Sequence, residues 1–226
     1  MLRSEVLQPL LDLFEAPRYL EIGVHSGETF FPLRAERKVA VDPAFRFDTR
    51  AAERVDPSAE FHPVPSDAYF RGLRPDASPF DVAFIDGLHT FEQTLRDLLN
   101  VLGHVRRDSV VVIDDVLPSG YFASLPDQRL FERLHAAVPG TPAAWMGDVY
   151  RLAPFIAAFL PNWSYATVAE NHGQLVMWRE PREPRRRSVE SVARATYEET
   201  VLEREVFAIA PFAEVLARVR AARERR

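Results

Sequence analysis

The chain has 226 residues, 47% of them hydrophobic, with 33 acidic against 28 basic side chains and a formal net charge of −5. That length suits one sizeable core; the lack of cysteine excludes disulfides, thiolate zinc sites and cysteine nucleophiles; and no apolar run reaches the ~18 residues a membrane span needs. The expectation is a cytoplasmic protein with no membrane contact, and its negative balance argues against nucleic-acid binding across the surface.

The first segment, MLRSEVLQPLLDLFEAP, has apolar residues at helical spacing and charges at Arg3, Glu5, Asp12 and Glu15. This predicts an amphipathic helix rather than the core of a secretory signal. Strands are expected at 18–23 (RYLEIG), 38–42 (KVAVD), 59–64 (AEFHPV), 81–86 (DVAFID), 109–114 (SVVVID), 163–170 (WSYATVAE) and 173–180 (GQLVMWRE). Their alternation with helical patterns predicts an α/β fold with a mostly parallel sheet and helices on both faces. Asn171, His172 and Gly173 form a link short enough for an antiparallel final hairpin. Pro32 interrupts the helix after Gly27. Thr90 and Gln93 make a capping-box pattern ahead of Phe91, Leu95, Leu98 and Leu102. The run REPREPRRR, 179–187, reads as a solvated linker or a contact for an anionic partner. Two helices split by Pro211 are expected beyond Ser188; they either pack back on the sheet or serve as a lid or an arm joining copies of the chain. The predicted division is a main domain over 1–180 and a helical extension over 181–226.

Ligands of open parallel sheets bind outside the carboxyl ends of the strands, so the residues just after each strand are the candidates. These are Glu21, Gly23 and Gly27; Asp42; Ser66 and Asp67; Asp86 and His89; Asp114 and Asp115. The two glycines allow a ligand close to the backbone, and Asp42 is placed to accept hydrogen bonds from ribose hydroxyls, which implies a nucleoside. The order GVHSG departs from the dinucleotide fingerprint, and Glu21 would repel a pyrophosphate but suit a cationic ligand. Asp86, Asp114 and Asp115 repel one another unless a cation sits among them, and their oxygens suit a hard divalent ion such as magnesium; alternatively, Asp114 or Asp115 caps the following turn. His89, three residues past Asp86, suits a general base, or else is a structural loop histidine. Trp145 reads as packing.

The segments YLEIGVHSGETFF, VAVDP, FDVAFIDGLHTFEQTLRDL and VVVIDDVLP, over residues 19–118, together with WMGDVYRL at 145–152, resemble the class I S-adenosylmethionine-dependent methyltransferases. The likeness is nearest to the small-molecule O-methyltransferase branch that includes macrocin-type antibiotic-sugar enzymes of natural-product biosynthesis. The resemblance implies a Rossmann-like seven-stranded sheet. It also implies Glu21, Gly23 and Gly27 near the methionine moiety of the donor, Asp42 on its ribose, Ser66 and Asp67 near its adenine, and Asp86 with Asp114 and Asp115 around a divalent metal. The partner would be a small-molecule acceptor, with the stretch 117–161 as its wall, and a homo-oligomer could form through the C-terminal helices. Two alternatives remain: a nicotinamide-dependent oxidoreductase on the same kind of sheet, and a nucleoside-binding module without catalysis.

Overall fold

The computed structural model describes residues 1–74, 77–140 and 144–225. Seven strands fall where the apolar runs predict them: β1 (Arg18–Ile22), β2 (Arg37–Val41), β3 (Ala59–His62), β4 (Phe80–Ile85), β5 (Val105–Ile113), β6 (Trp163–Val168) and β7 (Leu175–Arg179). An eighth, β8 (Ile209–Ala210), was not expected, because two residues carry no readable period. It adds to β6 in parallel, with Thr167 opposite Ile209. The order across the sheet is β3-β2-β1-β4-β5-β7-β6-β8; β7 runs antiparallel to β5 and β6, as the short link at 171–173 requires.

The inner strands are apolar on both sides because both sides are covered. Alternate residues of β4 and β5 divide between two cores. Ala83, Ile85, Val111 and Ile113 pack with Leu98 and Val101 of α4 (Phe91–Leu102) and Ile156 of α6 (Leu152–Phe159). Val82, Phe84, Val110 and Val112 pack on the other face with Val6, Leu7 and Leu10 of α1 (Arg3–Leu11) and Val215 and Val219 of α9 (Phe212–Glu224). The second C-terminal helix therefore packs back on the sheet and against α1, and Pro211 stands at its N-cap as the split predicted. Arg226, the last residue of that predicted helix, lies outside the described residues, as do Thr141, Pro142 and Ala143 of the expected acceptor wall. Of the remaining helices, α2 (Thr49–Val55) and α3 (Ser66–Gly72) follow β2 and β3, α5 (Gln128–Ala137) lies between β5 and α6, and α7 (Val189–Ala193) and α8 (Tyr197–Leu202) precede β8.

Several local expectations are corrected. No helix follows Gly27; residues 28–32 make turns instead, consistent with Pro32. β5 begins at Val105, ahead of the expected start at 109; the pairing with β4 shifts register there, and Ser109 Oγ bridges the irregularity by accepting from the Arg106 amide and donating to the Phe80 carbonyl. The arginine run is exposed over most of its length, as a solvated linker would be, but is anchored at Arg182. Arg182 donates to the carbonyls of Ile156 and Ala157 near the end of α6 and to that of Trp163, meeting acceptors a helix terminus leaves open. Lys38, the chain's single lysine, is buried: Nζ donates to the Leu33 carbonyl at 2.9 Å, pairs with Asp56 at 2.7 Å and lies over the Phe30 ring, tying the loop after β1 to the turn after α2.

The parallel register brings the strand ends level. Ile22 of β1 pairs with Val41 and Ile85, Ile85 with Ile113, and Val41 with His62. The next residue of each strand then bonds across the edge: Gly23 N to Val41 O at 2.9 Å, Asp86 N to Ile22 O at 2.8 Å, Asp114 N to Ile85 O at 3.0 Å, and Asp42 N to His62 O at 3.2 Å. Gly23, Asp42, Asp86 and Asp114 thus share one edge.

Candidate active site at the carboxyl edge of the sheet

A cavity of about 660 Å³ opens along this edge, and Glu21, Gly23, Asp42, Ser66, Asp67, Asp86 and His89 all line it. Its floor is the turn after β1. Gly23 has φ +84°, and a Cβ there would stand 1.9 Å from the Asp86 carbonyl oxygen; glycine lets two strand-end turns touch. Gly27 closes the turn, its amide donating to the Val24 carbonyl at 2.8 Å. Asp42 does more than face a ligand. Its Oδ2 accepts the Val24 and His25 amides at 2.9 and 2.8 Å, and its Oδ1 the Ala44 amide at 2.7 Å. The carboxylate holds the glycine turn in shape, with lone pairs left over for hydroxyl donors.

At the far end of the cavity Ser66 Oγ donates to Asp97 Oδ1 at 2.6 Å. Gln93 does not complete the predicted capping box: the Thr90 side chain accepts the Gln93 amide, but Gln93 Nε2 turns into the cavity to Asp97, Ser66 and Asp67 at 3.1, 3.3 and 3.4 Å. Arg96 pairs with Asp67 from outside. Burial pushes the Asp97 carboxyl up to about 6 against the hydrogen bonds from Ser66 and Gln93.

Glu21 is buried, and Tyr19 donates its hydroxyl to Glu21 Oε2 at 2.6 Å. Desolvation outweighs that hydrogen bond and raises the carboxyl to about 8, with Asp86 adding to the rise. Without a ligand, Glu21 is neutral at pH 7; a cation beside it would draw the proton off.

The three aspartates do not gather around one empty point. Arg3, from the first turn of α1, donates Nε to Asp114 Oδ2 and lies 3.6 Å from Asp86. Burial and then the charges of Asp86 and Asp115 push the Asp114 carboxyl up; the guanidinium opposes them. Asp114 Oδ1 is buried with no hydrogen-bond partner. Among the described residues, the group whose ligand atoms come close enough for one ion is Asp86, His89 and Asp115, within 4.8 Å of one another. Asp115, at φ +59°, sends its carboxylate to His89 Nδ1 at 3.1 Å, and His89 Nε2 lies 3.4 Å from Asp86. Burial alone would lower the His89 pKa, but the hydrogen bond with Asp86 and the charges of Asp115 and Asp86 raise it to about 9. Trp145 stacks on the imidazole, with ring centroids 5.4 Å apart, and its carbonyl lies 3.1 Å from Nδ1. Asp148 Oδ1 accepts the Phe91 amide at 2.6 Å, so residues 145–148 grip the His89 loop at the start of α4.

Residues 20–116 match the model of a family described as a methyltransferase domain. The matched segment is less than half of the 226-residue chain. No curated protein matches the sequence. Among solved structures, the chain's fold is similar to the O-methyltransferase TomG from Streptomyces achromogenes, involved in tomaymycin synthesis and solved with S-adenosylmethionine: 20% identity, TM-score 0.53, covering 78% of this chain and 79% of that one. It is also similar to the methyltransferase PaMTH1 from Podospora anserina, bound to S-adenosylhomocysteine, at 18% identity and TM-score 0.51, covering 79% and 77%. At such identities the likeness is one of fold. No helix among the described residues is long and apolar enough to cross a membrane.

Strand ends alone do not point to Arg3, Gln93, Asp97 and Asp148. Gln93 and Asp97 carried a signal, since polar residues four apart on α4 share a face. Arg3 carried none, because it lies 111 residues from Asp114. Trp145, expected as packing, packs on His89 itself.

Proposed function

We propose that the chain is an S-adenosylmethionine-dependent O-methyltransferase that acts on a hydroxyl of a small molecule, a sugar or natural-product metabolite. The observation that carries this reading is one continuous cavity joining the glycine turn and Glu21, the Asp42 carboxylate and the Ser66–Gln93–Asp97 end. In this reading the adenine goes to Ser66, Asp67, Gln93 and Asp97, the ribose to Asp42, and the methionine arm to Glu21, Gly23 and Gly27. The sulfonium then points at Asp86 and His89. Residues 1–180 form the catalytic unit, 181–226 extend it, and the exposed Val201 and Leu202 of α8 are available to a second copy. The acceptor is a small molecule rather than a nucleic acid, in keeping with the net charge of −5.

Methyl transfer is an in-line displacement, so fixing donor and acceptor in one line supplies much of the acceleration. With its pKa raised to about 9, His89 is mostly protonated at pH 7, so it takes the hydroxyl proton through the neutral form that grows as pH rises toward 9, and Asp86 orients the ring. Oxygen donors suit a magnesium ion, and Asp86 and Asp115 would hold it, with Asp114 offering only its Oδ1 because Arg3 takes Oδ2. When bound, the ion supplies polarisation of the acceptor hydroxyl.

Methyl-labelled S-adenosylmethionine offered with sugar and phenol acceptors, with magnesium or a chelator, tests the reading. Label is expected on a hydroxyl oxygen, with turnover falling about a hundredfold or more in His89→Gln. No transfer to any acceptor, with thermal stabilisation by NAD instead, would favour the oxidoreductase.

The raised Glu21 carboxyl gives a pH dependence. Glu21 holds its proton up to about pH 8 in the free protein and loses it when a cationic donor binds. Donor affinity should therefore rise with pH by about tenfold per unit below pH 8 and level off above it. In Glu21→Gln this slope is absent. Calorimetric titrations between about pH 6.5 and 9 read it, and a wild-type profile as flat as the variant's would remove Glu21 from donor binding.

A further inference from the structure

We propose that Arg3 recognises the α-carboxylate of the methyl donor, held in place by Asp114 beneath it. The inference rests on the donor reading above and concerns a residue that reading does not require.

The cavity wall carries six carboxylates: Glu21, Glu28, Asp42, Asp67, Asp86 and Asp97. Arg3 is the one arginine or lysine among its described lining residues. S-adenosylmethionine brings a sulfonium and an ammonium, which such a wall welcomes, and one carboxylate, which it repels. A ligand of this kind needs one fixed cation at the amino-acid end. Arg3 stands at that end, 3.6 Å from Asp86 and close enough to act on Glu21.

Its guanidinium is also oriented for the task. Nε is committed to Asp114, while Nη1 and Nη2 make no hydrogen bond among the described residues. The Asp114 side chain is 1% exposed and that of Arg3 34%, so the carboxylate lies below and the guanidinium reaches the cavity. Val6, Leu7 and Leu10, fully buried in the next turns of α1, fix the helix to the sheet. A planar fork with one edge anchored and two donors free matches a carboxylate.

Calorimetry with S-adenosylmethionine and decarboxylated S-adenosylmethionine separates this from a structural role. An acid-lined cavity with no carboxylate reader would favour the decarboxylated compound, which has lost its only negative charge. The expectation for the wild type is the reverse, a preference for S-adenosylmethionine of about tenfold to a hundredfold. In Arg3→Met that preference disappears through weaker binding of S-adenosylmethionine, while the decarboxylated compound binds as before; Arg3→Lys restores part of it. Equal affinities in the wild type, or equal weakening of both ligands in Arg3→Met, would overturn the role of Arg3 and leave the donor reading standing. If neither compound binds the folded wild type, the donor reading fails and the role of Arg3 fails with it. Should Arg3→Met not fold, the wild-type comparison and Arg3→Lys decide.

Discussion

Gly147→Ala is expected to lower methyl transfer about a hundredfold while leaving donor affinity near that of the wild type, since a misplacement of about 1 Å at the reacting group has that scale of effect. Gly147 has φ +64°, and a Cβ there would lie 1.6 Å from the carbonyl oxygen of His89 and 2.7 Å from its carbon. Both atoms are backbone, so the His89 loop has to move. His89 is held on three sides, by Trp145, by Asp86 and by Asp115, and a shift of its backbone breaks the alignment with all of them together. The groups proposed to hold the donor, Asp42, Ser66 and Asp97, lie on other elements and keep their places. Steady-state kinetics with donor titration on the same preparation checks this: turnover and donor affinity lost in equal measure would show that the His89 loop builds the donor pocket rather than the reaction centre.

Gly23→Ala should act on the donor instead. The added carbon would lie 1.9 Å from the Asp86 carbonyl oxygen, 2.4 Å from its carbon and 2.6 Å from the Gly87 Cα, at φ +84°. The left-handed conformation and the forced separation of two packed turns together cost about 3 kcal/mol. For a chain of this size that corresponds to a melting temperature lower by roughly 6–12 °C. The turn that parts from Asp86 is the turn whose amides Asp42 holds, so donor affinity is expected to fall by about tenfold or more even well below the melting point. Thermal melts and donor titration measure the two effects. A variant that melts early but binds donor normally would show that the glycine turn serves packing alone.

What could be read in the sequence follows the range of the forces involved. Strands β4 and β5 were visible because helices cover both sheet faces and leave runs such as VVVI with no polar residue. The edge where Gly23, Asp42, Asp86 and Asp114 meet was also visible, since a parallel register places each strand's following residue beside the next. The cation inside the acid cluster was not. Like-charge repulsion among Asp86, Asp114 and Asp115 demands a positive partner, but sequence cannot say whether that partner is an ion or a distant side chain, and for Asp114 it is Arg3. Gly147 was hidden for a similar reason, as its need for a bare Cα comes from His89, 58 positions earlier by their numbers. The anchor in the arginine run is hidden in sequence because only α6, placed beside it, offers Arg182 its open carbonyls.

Everything proposed for this protein depends on the carboxyl-edge cavity binding S-adenosylmethionine. Calorimetric titration of the folded wild-type protein with that compound, and separately with NAD, tests it most directly. Saturable binding of one S-adenosylmethionine per chain is expected, weakened in Gly23→Ala, with no heat of binding for NAD. Binding of NAD in its place, or no binding of S-adenosylmethionine by protein that melts cooperatively, would contradict it.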